Sequence, residues 1–192
     1  MNELVTVIII IVIVISFFLH YESFYSELTY VKSNLDNRQY LVRNLEDKQQ
    51  AADMLATIRK NLDSIVAYLK ENNNNDERIS RLVDNYRPEK LSESIPNTNY
   101  TSYSVNKGEK IVFCIRSKDK RQKLVDINTI MFVAIHELAH VMTKSIGHTE
   151  EFWNNMRYLL KKAIKLNIYK KHDYREKPVP YCGTEITDSP LN

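Results

Sequence analysis

His136-Glu137-Leu138-Ala139-His140 lies within the apolar run INTIMFVAIHELAHVMTKSI, residues 127–146. Two histidines four apart share one helix face, one turn from each other. That spacing lets both imidazoles grip one metal ion, and the glutamate after the first can reach a water on it. Zinc lowers the pKa of such a water to about 7. A carboxylate can then take the water's proton. The H-E-x-x-H pattern is therefore the residue set for metal-assisted peptide hydrolysis.

The plainer reading is a core helix with two hydrogen-bonded histidines. Three features weigh against it. Ile130, Met131, Phe132, Val133, Ile135, Leu138, Val141 and Met142 make the helix apolar nearly all round, which predicts burial. A buried His-Glu-His cluster is costly unless paired or metal-bound. A further histidine, His148, follows Gly147, a residue suited to ending the helix near Ile146. The third metal ligand must come from beyond that turn. His148 is the first side chain able to point back, followed by Glu150 and Glu151. His172 and Asp173 stand beyond a second helix.

Residues 101–192 resemble zincin metalloproteases of the SprT/WLM type. The segment that carries the resemblance is HELAHVMTKSIGHTEEFW, residues 136–153. In WLM-like proteases the third ligand is a histidine followed by an H-x-x-x-F pattern with an adjacent aromatic. His148, Phe152 and Trp153 fit it, so the resemblance favours His148 over the acids. The chain departs in the gap: seven residues separate His140 from His148, against the five of the usual pattern. The segments YTSYSVNKGEKIVFC (100–114) and YCGTEITDSP (181–190) are similar to membrane-anchored metallopeptidases of large nucleocytoplasmic DNA viruses. The resemblance implies a zinc protease fold and leaves the substrate open.

The 192 residues suit one compact domain with extras, and the net charge of +3 points to no partner. Cys114 and Cys182 are too few for a disulfide framework, and two buried thiols are the simpler expectation. No C-x-x-C offers a second zinc module.

Leu4 to Leu19 is apolar but for Thr6 and Ser16, and with Tyr21 it can span a membrane. A cleaved signal peptide would need a basic start and small residues at a cleavage site. The flanks here are Asn2-Glu3 and the bulky Phe17-Phe18-Leu19-His20-Tyr21, so an uncleaved anchor over 1–21 is expected. Lys32 and Arg38 follow the span while none precedes it, which leans toward a cytosolic C-terminal domain. Residues 22–78 read as a helical stalk and packing helix. Leu28, Val31, Leu35, Val42, Leu45 and Ala52 step by threes and fours, open to self-association as a coiled coil or to folding back. Met54 to Leu69 then forms an amphipathic face expected to pack on the domain.

The domain proper is expected over 79–192. A short helix around Ile79, Leu82 and Val83 precedes an irregular stretch with Pro88 and Pro96. Residues 100–105 and 110–116 read as a hairpin turned by Asn106-Lys107-Gly108-Glu109. In zincins such a strand borders the cleft and pairs with substrate; an ordinary covered hairpin is the alternative. Arg116 to Lys123 reads as a solvated basic loop. Asp126 or Asn128 can cap the active helix, and Thr149 the next one, whose first turn carries Glu150 and Glu151. The tail from Tyr169 reads as irregular. Tyr181-Cys182-Gly183 can fold back over the cleft, where a tyrosine could donate to an oxyanion, although packing is the simpler role.

The expectation is an α+β minimal zincin-like domain behind a transmembrane helix. Its function would be that of a single-pass, membrane-anchored endopeptidase in a host or virion membrane, acting on protein or peptide substrates. Zn2+ would be held by His136, His140 and His148, with Glu137 catalytic through a zinc-bound water. One alternative is a non-enzymatic membrane protein with a structural zinc site, although such sites usually have four protein ligands. Another is a protease acting on DNA-linked proteins, although the anchor and the lack of a DNA-binding module make a nucleic-acid partner unlikely.

Overall fold

A computed structural model describes residues 3–72, 75–96 and 101–192. Tyr100, the expected start of a strand, lies outside the described residues, as do Asn73 and Asn74 of the asparagine run.

The first helix, α1 (Glu3–Ser26), carries the apolar window Leu4–Tyr21, none of it buried. At about 1.5 Å per residue, 24 residues reach roughly 36 Å, more than the roughly 30 Å hydrocarbon core. The helix is long and apolar enough to cross a membrane.

The helical reading of residues 28–43 is corrected by two antiparallel strands, β1 (Leu28–Lys32) and β2 (Gln39–Arg43). The reversal between them passes through Asn37 at φ 60°, a left-handed position that asparagine tolerates. The hydrophobic steps of three and four were a coincidence of two short strands. Tyr40 and Val42 are buried two apart, as one face of a strand requires. Leu35, placed on the coiled-coil seam, is exposed in the turn. The following helix α2 (Lys48–Asn72) is as expected, and its apolar face, including Leu55, Ile58, Leu62, Ile65 and Leu69, is buried within the domain. The expected coiled-coil seam over residues 28–43 does not form.

After α2 comes α3 (Glu77–Asn85), capped by the Asp76 carboxylate. The stretch read as irregular holds a further strand, β3 (Leu91–Glu93). The expected hairpin forms as β4 (Tyr103–Val105) and β5 (Lys110–Phe113). The five strands make one sheet in the order β1-β2-β3-β5-β4, parallel across β2-β3 and β3-β5 and antiparallel elsewhere. β4 is therefore an outer strand.

Helix α4 (Ile127–Met142) carries the H-E-x-x-H motif, and α5 (Glu150–Lys165) packs beside it. Asp126 caps α4 by accepting from the amides of Asn128 and Thr129, and Thr149 caps α5. Helices α2 and α3 also contact α4, so nearly every side of it meets protein. This explains an apolar sequence all round the helix.

Two further expectations are corrected. Arg116 is not part of the solvated loop: it is buried, bonding Glu93 at 2.7 Å and Asp47 at 2.6 Å. A buried guanidinium is tolerable only with such partners. The tail is not irregular throughout, because Val179–Tyr181 (β6) and Thr184–Ile186 (β7) pair as a hairpin. Its two-residue turn, Cys182-Gly183, has φ 49° and 79°. Positive φ at both positions is what a tight hairpin turn demands.

Cys114 and Cys182 are not two thiols but one disulfide, 68 residues apart in sequence. It ties the tail hairpin to the end of β5. A loop of that length favours the cross-link, because closing it removes much freedom from the unfolded chain. Cys182→Ser should cost roughly 2–4 kcal/mol of stability, measured by urea unfolding in detergent. An unchanged unfolding midpoint would mean that the bridge does not form.

Candidate metal centre

α4 presents His136 and His140 on one face, and the turn after it brings His148 to the same point. Nε2 of His136 lies 3.2 Å from that of His140 and 3.0 Å from that of His148. The ligand atoms of all three lie within 4.8 Å of one another. Zinc–nitrogen bonds of about 2.0–2.1 Å in a tetrahedron put nitrogens about 3.3 Å apart. The two distances from His136 fit that spacing, and three nitrogen donors would leave a tetrahedral ion one open position. His172 and Asp173 are engaged elsewhere: the ring of His172 meets the Lys177 carbonyl at 2.8 Å, and Asp173 accepts from the amides of Arg175 and Glu176.

Burial holds His136 down to about 3, with the charges of His140 and His148 acting the same way. Burial likewise lowers His140 to about 4, helped by His148 and Lys107. Both rings are therefore neutral, the form that binds a metal, at any physiological pH. Glu137 is buried, and burial raises its carboxyl to about 8 against the amide of Ser104, which hydrogen-bonds it. A divalent cation beside it would favour the charged carboxylate.

The aromatic pair after His148 has a clear physical role. Phe152 is fully buried, with its ring 4.8 Å from His136, 4.3 Å from His140 and 4.7 Å from His148. Trp153 stacks on His148 at 5.5 Å. The first turn of α5 thus forms a wall that fixes all three rings.

The helix ends at Met142, not near Ile146. Thr143 is extended and caps it, its hydroxyl donating to Ala139 O. Gly147 does take the left-handed conformation, φ 82°, but within the following turn. The early stop frees residues 143–147 to carry His148 round, and this absorbs the longer gap. Lys107 Nζ donates to the carbonyls of Thr143, Lys144 and Ser145 at 2.6, 2.7 and 2.7 Å. Arg81 donates to Met142 O at 2.8 Å. From the other side Glu151 accepts from the amides of Lys144 and Ser145 and from the Ser145 hydroxyl. Those bonds hold its carboxyl at about 2, so Glu151 is committed to the turn. Glu150 is exposed at the start of α5 and, like Glu151, outside the ligand cluster. Sequence reasoning missed Lys107, Arg81 and the clamp by Glu151. A cation at a helix C-terminus is a general device, but nothing in the spacing tied these residues to this one.

The histidines open onto a cleft of about 710 Å3. β4 forms one wall from Thr101 to Asn106, and the turn from Ser145 to His148 forms another. The tail hairpin contributes Tyr181, Thr184 and Ile186. Tyr181 is buried, and its hydroxyl meets Ser102 Oγ at 2.6 Å. Burial pushes its phenol well above the ordinary range; Ser102 opposes this and the charge of Glu137 adds to it.

Comparison with known proteins shows the family of the chain. Residues 33–189 match the WLM domain, from the turn after β1 to the tail hairpin. The uncharacterized protein R325 of Acanthamoeba polyphaga mimivirus is 42% identical over 170 residues, covering 86% of this chain and 86% of that one. The uncharacterized protein 136R of Invertebrate iridescent virus 6 is 36% identical over 69 residues, 35% of this chain and 38% of that one. Both relatives are viral, as the resemblance implied. The crystal structure of Wss1 from Saccharomyces cerevisiae aligns with a TM-score of 0.49 at 22% identity, covering 66% of this chain and 87% of that one. On the strength of the match over most of its length, the chain belongs to the WLM domain family.

Proposed function

We propose that the chain is a membrane-anchored, zinc-dependent endopeptidase. The observation that carries this reading is the meeting of three Nε2 atoms beside a buried carboxylate in an open cleft. Membership of the WLM family supports a metalloprotease. His136, His140 and His148 are the ligands. A zinc ion held there would acidify a water and polarise the scissile carbonyl. Glu137 accepts the attacking water's proton and delivers it to the leaving amine. The Ser104 amide orients that carboxylate. β4, an outer strand on the cleft, suits an extended peptide paired along its edge.

We read α1 as an uncleaved anchor, because bulky residues fill the positions where a signal peptidase needs small ones. The disulfide favours the oxidising face of the membrane for the domain. It outweighs the orientation drawn from Lys32 and Arg38, a bias of two charges set among acids.

Three outcomes follow. Glu137→Gln should keep zinc and lose at least about 100-fold in turnover, since an amide cannot take the water proton. Unchanged proteolysis in that variant would sink the mechanism. His148→Ala should weaken zinc binding by more than the roughly 10–100-fold of an outer-shell loss, whereas Glu151→Gln should stay within that range. The reverse order, read by competition with a chelating dye, would move the ligand to the acid. Finally, the intact chain should stay in membrane pellets through alkaline washing. In sealed vesicles with the cytosolic side outward, its domain should resist added protease, and digestion there would place it on the cytosolic face.

A further inference from the structure

The tail hairpin brings one hydroxyl to the cleft in a fixed place. We propose that Tyr181 is a catalytic residue whose phenol donates a hydrogen bond to the oxyanion formed when water adds to the scissile carbonyl. The inference rests on the protease reading above. Tyr181 lines the same cleft as His136 and Glu137. Its hydroxyl ends a chain of hydrogen bonds that starts in the sheet: the Cys114 amide donates to Ser102 Oγ at 3.0 Å, and Ser102 Oγ meets the phenol oxygen at 2.6 Å. With Ser102 donating its own proton to that oxygen, the phenol proton is left for the cleft.

Oxyanion stabilisation depends on a donor already in place, so that nothing reorganises as charge develops. Tyr181 meets that condition through its neighbours. Its ring is only 4% exposed, and the next residue, Cys182, is bonded to Cys114. The disulfide, just after β5, and the Ser102 bond, just before β4, therefore hold the tyrosine at both ends against the β4–β5 hairpin. Three other polar side chains on the cleft are committed, whereas the buried Ser104 hydroxyl is not. Lys107 Nζ holds three carbonyls, Asn106 donates to Glu109, and the Ser145 hydroxyl is bonded to Glu151 and Thr149.

Tyr181→Phe separates this role from packing, because the ring stays and only the hydroxyl leaves. The test uses the full chain in detergent, loaded with zinc. Turnover of denatured casein is measured beside affinity for a phosphinic peptide, whose P–O⁻ stands where the oxyanion forms. Zinc content and melting temperature are measured on the same samples. Zinc content should match the wild type, and the melting temperature should fall by no more than the few degrees expected from losing the Ser102 bond. Turnover should fall about 100-fold, the usual effect of losing one oxyanion donor. Phosphinic peptide affinity should fall by a similar factor. Values within twofold of wild type on both readouts would overturn the proposal and leave Tyr181 as packing. So would a loss seen in Tyr103→Phe, the other phenol on the cleft, but not in Tyr181→Phe. A wild-type chain that neither binds zinc nor cleaves casein would overturn the protease reading itself, and this inference with it.

Discussion

Three imidazoles converge in a partly dry site, with His136 Nε2 3.2 Å from that of His140 and 3.0 Å from that of His148, and this crowding sets the constraint that the surrounding packing answers. Such rings cannot all be charged, and water cannot fully solvate them. Burial keeps His136 and His140 neutral, so each offers a bare lone pair to the same point. A cation satisfies all three at once, which hydrogen bonding among the rings cannot do. The packing serves that end: a helix surrounded by protein supplies two of the rings, and the first turn of α5 walls in all three.

The third ring depends on a turn that would be mobile if left to itself. Residues 143–147 have no regular structure to hold them. Their carbonyls are gathered by Lys107 and their amides by Glu151, while Arg81 holds the carbonyl of Met142 at the end of the helix. Cation and carboxylate thus meet opposite ends of the same peptide dipoles, and each reinforces the helix terminus it faces. Lys107 belongs to the turn between β4 and β5, so one hairpin both borders the cleft and fixes the ligand loop. The tail hairpin, bound by the disulfide beside the β4–β5 hairpin, also lines the cleft.

Much of this was legible in the sequence where a long period or a cap carried the signal. α4 except for its end, α5, the Thr149 cap and the β4–β5 turn follow from such signals, and the spacing to Phe152 and Trp153 points to His148. Short strands were not legible. β1 and β2 are five residues each, and Leu28, Val31, Leu35 and Val42 happen to fall at helical steps. β3, β6 and β7 are three residues each, too short for alternation to show. The disulfide could not be read because it depends on where a tail hairpin lands, and the clamp on the ligand turn likewise joins residues brought together only by the fold.

A three-histidine site with one open position makes a definite demand on the coordination shell of a bound metal. X-ray absorption on the zinc-loaded chain should show three imidazole nitrogens at about 2.0–2.1 Å and one further light-atom ligand from solvent. A shell of four protein donors would contradict the account, because it would close the position the chemistry needs. A sulfur at about 2.3 Å would contradict it as well, since that distance marks a cysteine ligand and the two cysteines are assigned to each other.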